Sequence, residues 1–451
     1  MSILNVNKIN PVGGGSTITI AGIASVTNNI SVGNSVTAGS FVGPIEGAVT
    51  GNVTGNVTGN VTGDATGLSG NPSINTTGIV TATTLNYTGN QNLSNRNIII
   101  NGAMNVAQRA SSSTTSGYGD LDRWKHEYAS TNESPTFAQV SLTTSDTPYT
   151  LGLTKTTKIT NGNQTSGLQA ASQINFNQQI EAQNIRNSGW NYTSSSSYIT
   201  LSFWVRASVS QNYHGFVKTG DGSNYSYSYE TGTLSANTWT KITKSIPGNS
   251  NLQIDDDNGN GFQVFPIAIY GTSFTDNSIS NDAWKSWSSG TRTKDQTATW
   301  YTTNDATLEI TGVQLEVGPV ATPFEHRSFG DELTRCRRYC YVLGFPSVGD
   351  SYERVARGQG YDSTRTRITV FHPTEMRAKA SSVTIPDVSH WQISDTSNGY
   401  LPSAYELTPN VNGVLSTGMQ FTHASGATAY RNYFLERRGT TAGKVIIDAE
   451  L

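Results

Sequence analysis

The sequence predicts a mainly β protein: an extended, repetitive N-terminal shaft of trimeric β type, a β-sandwich or jelly-roll domain, a short helix, and a smaller C-terminal β domain. Three observations predict it. Gly supplies 45 of the 451 residues and only 14% of the chain is charged; with abundant Thr, Ser and Asn, this mix favours short strands and turns over helices. The apolar stretches are short and bounded by Gly, Asn and Ser. A tetrapeptide repeat marks the N-terminal part.

Residues 1–95 contain Phe41 and Tyr87 as their only aromatics, and Lys8, Glu46 and Asp64 as their only charged residues. Such a segment buries no core alone, yet it lacks the high charge of disordered chains. Glycines at 47, 51, 55, 59 and 63 set a period of four, twice the strand period, which places Val53, Val57 and Val61 on one face of an extended chain. Three such chains wound together bury the stripe that one chain cannot; a flexible linker is the alternative.

From Asn95 the texture changes. Strand-like stretches at Ile98–Ile100, Phe137–Leu142, Ile199–Arg206, Phe262–Tyr270 and Thr307–Leu315 assign residues 96–327 to an antiparallel sandwich. Ser328 and Asp331 have capping-box spacing, and Leu333, Cys336, Cys340 and Leu343 follow at helical intervals until Gly344 and Pro346 stop the run. This predicts a connecting helix within 328–344, its apolar stripe buried in a seam. Residues 345–451 return to strand-and-turn texture, a second β domain at the tip.

A net charge of −3 gives no electrostatic basis for nucleic-acid binding. No apolar run approaches membrane-spanning length. The stretch Met1–Lys8 lacks a basic region followed by apolar residues, so synthesis in a cytoplasm is expected. Cys336 and Cys340 have no His pattern beside them and read as two small buried hydrophobes. No cofactor motif is present.

Several segments then carry a resemblance. The run Asn97-Ile98-Ile99-Ile100-Asn101-Gly102-Ala103-Met104-Asn105-Val106-Ala107-Gln108-Arg109, followed by Asp122-Arg123-Trp124, resembles the opening of a carbohydrate-binding-module-like β-sandwich common in bacteriophage tail fibres and related virion proteins. Ile310-Thr311-Gly312-Val313-Gln314-Leu315-Glu316-Val317-Gly318, with Ala321–Arg327, is similar to its closing signature, and Cys336-Arg337-Arg338-Tyr339 to the helix after it. Glu375–Ala378 and Asp448–Leu451 are similar to the distal domain of the same fibres. Asn10–Gly13 before the repeat resembles fibres of phages infecting marine and cyanobacterial hosts. The resemblance implies a virion fibre, usually trimeric, joined to other tail or baseplate proteins through its N-terminus. It carries over no catalytic residues.

Candidate sites follow from residue chemistry. Trp284 and Trp287, with Trp300-Tyr301, bracket a Gly/Ser/Thr loop and offer flat faces for sugar rings, unless they fill the sandwich. Tyr225, Tyr227 and Tyr229 share one strand face, either a sugar platform or the interior. In the C-terminal third, Trp391, Tyr400 and Tyr405 supply aromatic faces. Arg365 and Arg367, with Arg354 and Arg357, suit carboxylate or phosphate on a glycan or lipopolysaccharide. Asp256-Asp257-Asn258-Gly259-Asn260-Gly261 matches the first half of a calcium loop whose twelfth position is Ile267 instead of Glu; Asp255, Asp257 and Asn258 are candidates to hold an ion in another way, and the alternative is a tight turn. The expectation is a non-enzymatic attachment fibre that binds host-surface glycan, chiefly through its C-terminal third. A polysaccharide-cleaving spike and a purely structural virion subunit are the rivals.

Overall fold

Short alternating stretches, cut by turn residues, dictate how the chain folds. The structure is a computed structural model and describes residues 95–344, 352–408, 411–438 and 443–451. The expected shaft lies outside these residues. The first sandwich is built from β1 (Ser112–Ser113), β2 (Lys125–Ala129), β3 (Thr136–Ser141), β4 (Lys155–Thr160), β5 (Gln173–Glu181), β6 (Tyr198–Ala207), β7 (Asn212–Thr219), β8 (Tyr225–Thr233), β9 (Thr240–Pro247), β10 (Asn260–Phe265), β11 (Ala268–Tyr270), β12 (Trp284–Ser286) and β13 (Thr307–Val317). One sheet has six strands in the order β1-β3-β4-β13-β6-β9; the other has seven, β11-β5-β10-β7-β8-β12 with β2 on the free side of β5. Their inner faces meet in a core that includes Phe203, Val205 and Ile310 from one sheet and Phe176, Phe262 and Val264 from the other.

The strands expected at 137–142, 199–206 and 307–315 form there. The stretch 262–270 splits into β10 and β11 around Pro266, which has no N–H to donate to a ladder. Ile98–Ile100 is not a strand. One ladder bond remains, from Ile98 N to Leu315 O at 2.8 Å, and side chains supply the rest: Asn97 Oδ1 accepts from the N–H groups of Ile99 and Leu315, each at 3.0 Å. Gln178 exchanges two bonds with the backbone of Ile100. Gln314 Oε1 accepts from Glu325 N at 2.8 Å, and the Arg327 guanidinium donates to Ile99 O and Asn97 O. The opening and closing signatures are thus two halves of one latch.

Ser328 caps a helix at Phe329–Arg337, accepting from Asp331 N at 3.1 Å. The helix is shorter than its periodicity predicts. Cys340–Leu343 is β14, paired with β23 (Val445–Asp448); Tyr, Val and Leu suit a strand, and a partner a hundred residues away decides the matter. Cys336 and Cys340 are free thiols and fully buried, and Leu333 packs half-buried in the same cluster as Cys336, Ile100 and Leu451.

Between β14 and β23 come β15 (Arg354–Gly360), β16 (Arg365–Phe371), β17 (Ser382–Thr384), β18 (Trp391–Ser394), β19 (Gly399–Tyr400), β20 (Pro402–Leu407), β21 (Ser416–His423) and β22 (Asn432–Arg437). A three-stranded sheet, β14-β23-β17, covers one face of a seven-stranded sheet, β19-β18-β22-β15-β16-β21-β20. Trp391, Ile368, Leu435 and Ile447 lie in the core between them.

The two β regions are tied by buried charge. Arg123 pairs with Glu450 and lies 3.4 Å over the Tyr339 ring. Arg109 reaches Asp448 at 2.7 Å and Glu450 at 3.3 Å. Arg338 forks onto Glu181 at 2.7 and 2.8 Å. Removing either half would strand the buried Arg123 and Arg109 guanidinium groups.

Candidate functional site

The residues expected to bind glycan do not converge. Trp391 is fully buried in the C-terminal core. Tyr400 stacks on His423 at 5.1 Å and donates to Gly426 O at 2.9 Å; the Tyr405 hydroxyl accepts from Ile385 N at 2.8 Å. These aromatics hold the fold. Trp284 faces the inner side of the first sandwich, edge-on to Tyr227 at 5.5 Å, with its indole N–H on Pro247 O at 2.6 Å. Trp300 and Tyr301 are fully buried. Tyr227 and Tyr229 belong to the interior, with Tyr225 packed against it, so that strand face is the core and not a platform.

Trp287 lies on the opposite, outer face of the seven-stranded sheet. Strand alternation puts Phe216 on that face, and register sets Phe265 beside it. Phe216, Phe265, Ala268 and Tyr270 form a second apolar layer there, with Phe274 and Trp287 against it. Phe216 and Phe265 stack at 4.1 Å, and Trp287 lies nearly parallel to Phe216 at 5.7 Å. Two cations flank the indole: Lys218 Nζ at 4.5 Å and the Arg292 guanidinium at 5.7 Å from the ring centre. Burial lowers the Lys218 pKa, and the Arg292 charge lowers it further. Lys285 donates to Ser226 and Ser228 at 3.1 and 2.6 Å, and burial pulls it down to about 8. Asn175 Nδ2, Asn177 Oδ1 and His214 Nδ1 are buried without a partner among the described residues.

The face thus combines a half-buried indole on a rigid aromatic base with ammonium, guanidinium and amide groups. Aromatic faces stack on apolar sugar faces, and the polar groups match hydroxyls. Lys218, Phe216 and Tyr270 escape a reading of the sequence, because only register places them under Trp287. The alternation in Tyr213–Lys218 is the available signal.

On the C-terminal sheet, Arg365 and Arg367 stand on the outer face, sharing the Tyr361 ring at 4.6 and 3.8 Å. Arg365 is engaged by Asp362 at 2.7 Å, and Arg367 Nε donates to Gln420 at 3.1 Å. The run Arg365-Thr-Arg-Ile-Thr-Val-Phe371 alternates, so Phe371 shares their face.

The acidic loop serves the fold. Asp255 N donates to Asp221 at 3.0 Å, Asp257 Oδ1 accepts from Gly259 N at 2.8 Å, and Asn258 Nδ2 donates to Arg377 O at 2.6 Å. Among the described residues no three His, Cys, Asp or Glu side chains gather to hold a metal ion. No described helix is long and apolar enough to cross a membrane.

No protein family matches the sequence, and no curated relative does. Among solved structures, the enzymatically active domain of bacteriophage CBA120 tailspike protein 4 matches over 49% of this chain and 21% of that chain, at 9% identity and a TM-score of 0.27. The family 11 carbohydrate-binding module of Clostridium thermocellum, solved with a β-1,3-1,4-mixed-linked tetrasaccharide, matches over 43% of this chain and 88% of that chain, at 10% identity and a TM-score of 0.22. The tandem CBM22-1–CBM22-2 domain of Paenibacillus barcinonensis Xyn10C matches over 72% and 92%, at 9% identity and a TM-score of 0.22. Likenesses this faint carry no argument, and the function rests on the chain's own residues.

Proposed function

We propose that the chain is a virion fibre subunit that attaches a phage to host-surface glycan without cutting it. The observation that carries this is Trp287, half-buried on the Phe216/Phe265/Tyr270 layer between Lys218 and Arg292. The fibre context comes from the opening and closing signatures and the Gly-Asn-Val-Thr repeat, which point to a trimeric shaft joined to other virion proteins.

Binding without cleavage fits the carboxylates at this face. Glycosidases pair two carboxyl groups across the scissile bond. Here both carboxylates of the face are engaged: Glu127 pairs with Lys125 at 3.0 Å, and Glu230, beside His214, accepts from Asn212 Nδ2 at 2.7 Å.

The test is a glycan array probed with the full chain. Retained neutral sugars should be lost with Trp287→Ala, and no new reducing ends should appear in the bound polysaccharide. New reducing ends would make the chain a depolymerase, and unchanged binding by Trp287→Ala would remove this face from the function. Light scattering should report a trimer; a stable monomer would sink the fibre reading.

A further inference from the structure

The outer face of the C-terminal seven-stranded sheet has no covering element among the described residues. Arg357 sits opposite Thr369 on one neighbouring strand and Phe434 on the other, so all three side chains rise from one row. Arg367 is the diagonal neighbour of Arg357, with backbones about 7–8 Å apart. Two grooves, of about 520 and 340 Å³, adjoin along Arg357, Thr369, Phe371 and Phe434. Phe371 is 72% exposed.

The cations differ in their commitments. Arg354 is paired with Glu436 at 3.1 Å and Arg365 with Asp362. Arg357 has no hydrogen-bond or ion-pair partner among the described residues. Arg367 spends its Nε on Gln420 and its plane on Tyr361, which fixes the fork while its terminal nitrogens remain open. A pre-positioned guanidinium fork matches carboxylate oxygens two at a time. An exposed phenyl ring beside it matches the apolar face of a pyranose.

We propose that this face binds an acidic polysaccharide whose sugar rings carry carboxylates, with Arg357 and Arg367 taking the carboxylate and Phe371 the ring. The inference deepens the glycan-attachment reading and rests on it, but it concerns a second site with a separate ligand class. A second copy of the chain fits the face less well, since like guanidinium groups would meet across a symmetric contact. Nucleic acid fits less well too, because Glu406 and Glu436 flank the row and the chain as a whole is anionic.

The experiment is affinity electrophoresis of the full chain in gels containing polygalacturonate or a neutral β-glucan. Polygalacturonate should retard the protein, and added salt should weaken the effect. Arg357→Ala with Arg367→Ala should weaken it by at least about tenfold, as expected for losing charge-assisted contacts. The matching Lys pair should restore only part, since it returns the charge without the fork. Phe371→Ala should give a smaller loss, and Trp287→Ala should leave polygalacturonate retardation intact, separating this site from the first sandwich. Wild-type mobility unaffected by polygalacturonate, or unaltered retardation of the double Ala variant, would overturn the proposal. So would equal retention by single-stranded DNA through the same arginines. Dissociation of an oligomer by Phe371→Asp in light scattering would also overturn it, making the face an interface between copies.

Discussion

In the first sandwich the outer face of the seven-stranded sheet is roofed by the segment 271–297, which brings Phe274, Trp287 and Arg292 onto Phe216, Phe265 and Tyr270. In the C-terminal domain the corresponding large sheet turns Arg357, Arg367 and Phe371 to solvent. Both sheets bury their inner faces against a second sheet. The difference teaches where each domain places its aromatics. The first has enough to build a core and a second apolar layer outside it, from which one indole emerges between cations. The C-terminal domain commits Trp391, Tyr405 and Tyr433 to the inside and leaves its outer face to arginine. One face is suited to neutral rings, the other to charged ones.

Buried ion pairs join the two regions, so the most damaging change is at the joint. Glu450→Ala leaves Arg123 and Arg109 without their shared partner in a seam where both guanidinium groups are buried. Arg109 keeps Asp448 at 2.7 Å, so the one stranded cation is Arg123, and stranding a buried charge costs about 3–5 kcal/mol. Urea denaturation should show the loss together with a transition that splits in two. A single unshifted transition would mean that the seam does not couple the domains.

Next comes the contrast inside the C-terminal domain. Trp391→Ala empties the centre of its core and should cost about 3–4 kcal/mol, whereas Phe371→Ala, on the open face, should leave the denaturation midpoint where it was. If Trp391→Ala kept its stability and lost glycan instead, the assignment of inside and outside would be reversed.

A pH dependence sharpens the picture of the first sandwich. Asp120 and His126 are fully buried, with Oδ1 and Nε2 3.0 Å apart. Burial pushes Asp120 up to about 7 and His126 down to about 3. Folded, the pair holds one proton between about pH 3 and 7; unfolded, with ordinary values of 3.8 and 6.5, it also holds one between those values. The two states therefore bind equal protons from about pH 4 to 6.5, and the pair adds no slope to stability there. In Asp120→Asn the histidine stands alone. Its unfolded form takes up a proton below 6.5 that the folded form refuses, so stability should fall steadily with acid, by about 3 kcal/mol between pH 6.5 and 4. Denaturation curves of the two proteins at matched pH check this; parallel pH profiles would show that the pair does not share a proton.

The smallest effect expected is at Arg365. Its partner Asp362 is at the surface, and such pairs add little. Arg365→Ala should leave stability unchanged and polygalacturonate binding nearly so, which would separate an engaged arginine from the uncommitted Arg357.

Much of this molecule was legible in its sequence. Alternation in Ile199–Arg206 and Thr307–Leu315 determined strands, Gly and Asn the turns between them, and Ser328 with Asp331 the start of a helix, because these depend on local geometry and local hydrogen bonds. The burial of Cys336 and Cys340 followed from their chemistry. Partner choice did not. Cys340–Leu343 continues a helical period, yet it became a strand because β23 was there to pair with it, and Ile98–Ile100 lost most of its ladder to Asn97 and Gln178. The same limit governed the sites. An aromatic residue serves a core and a sugar equally well on paper, so only the fold could send Trp391 and Tyr405 inward and Trp287 outward. Face alternation in 365–371 made the arginine row readable in part, but Arg357 and Phe434 joined it through register between strands far apart in the chain. Residue types set what each side chain can do, and long-range pairing, driven by burying one face of every sheet, decided which of them meet.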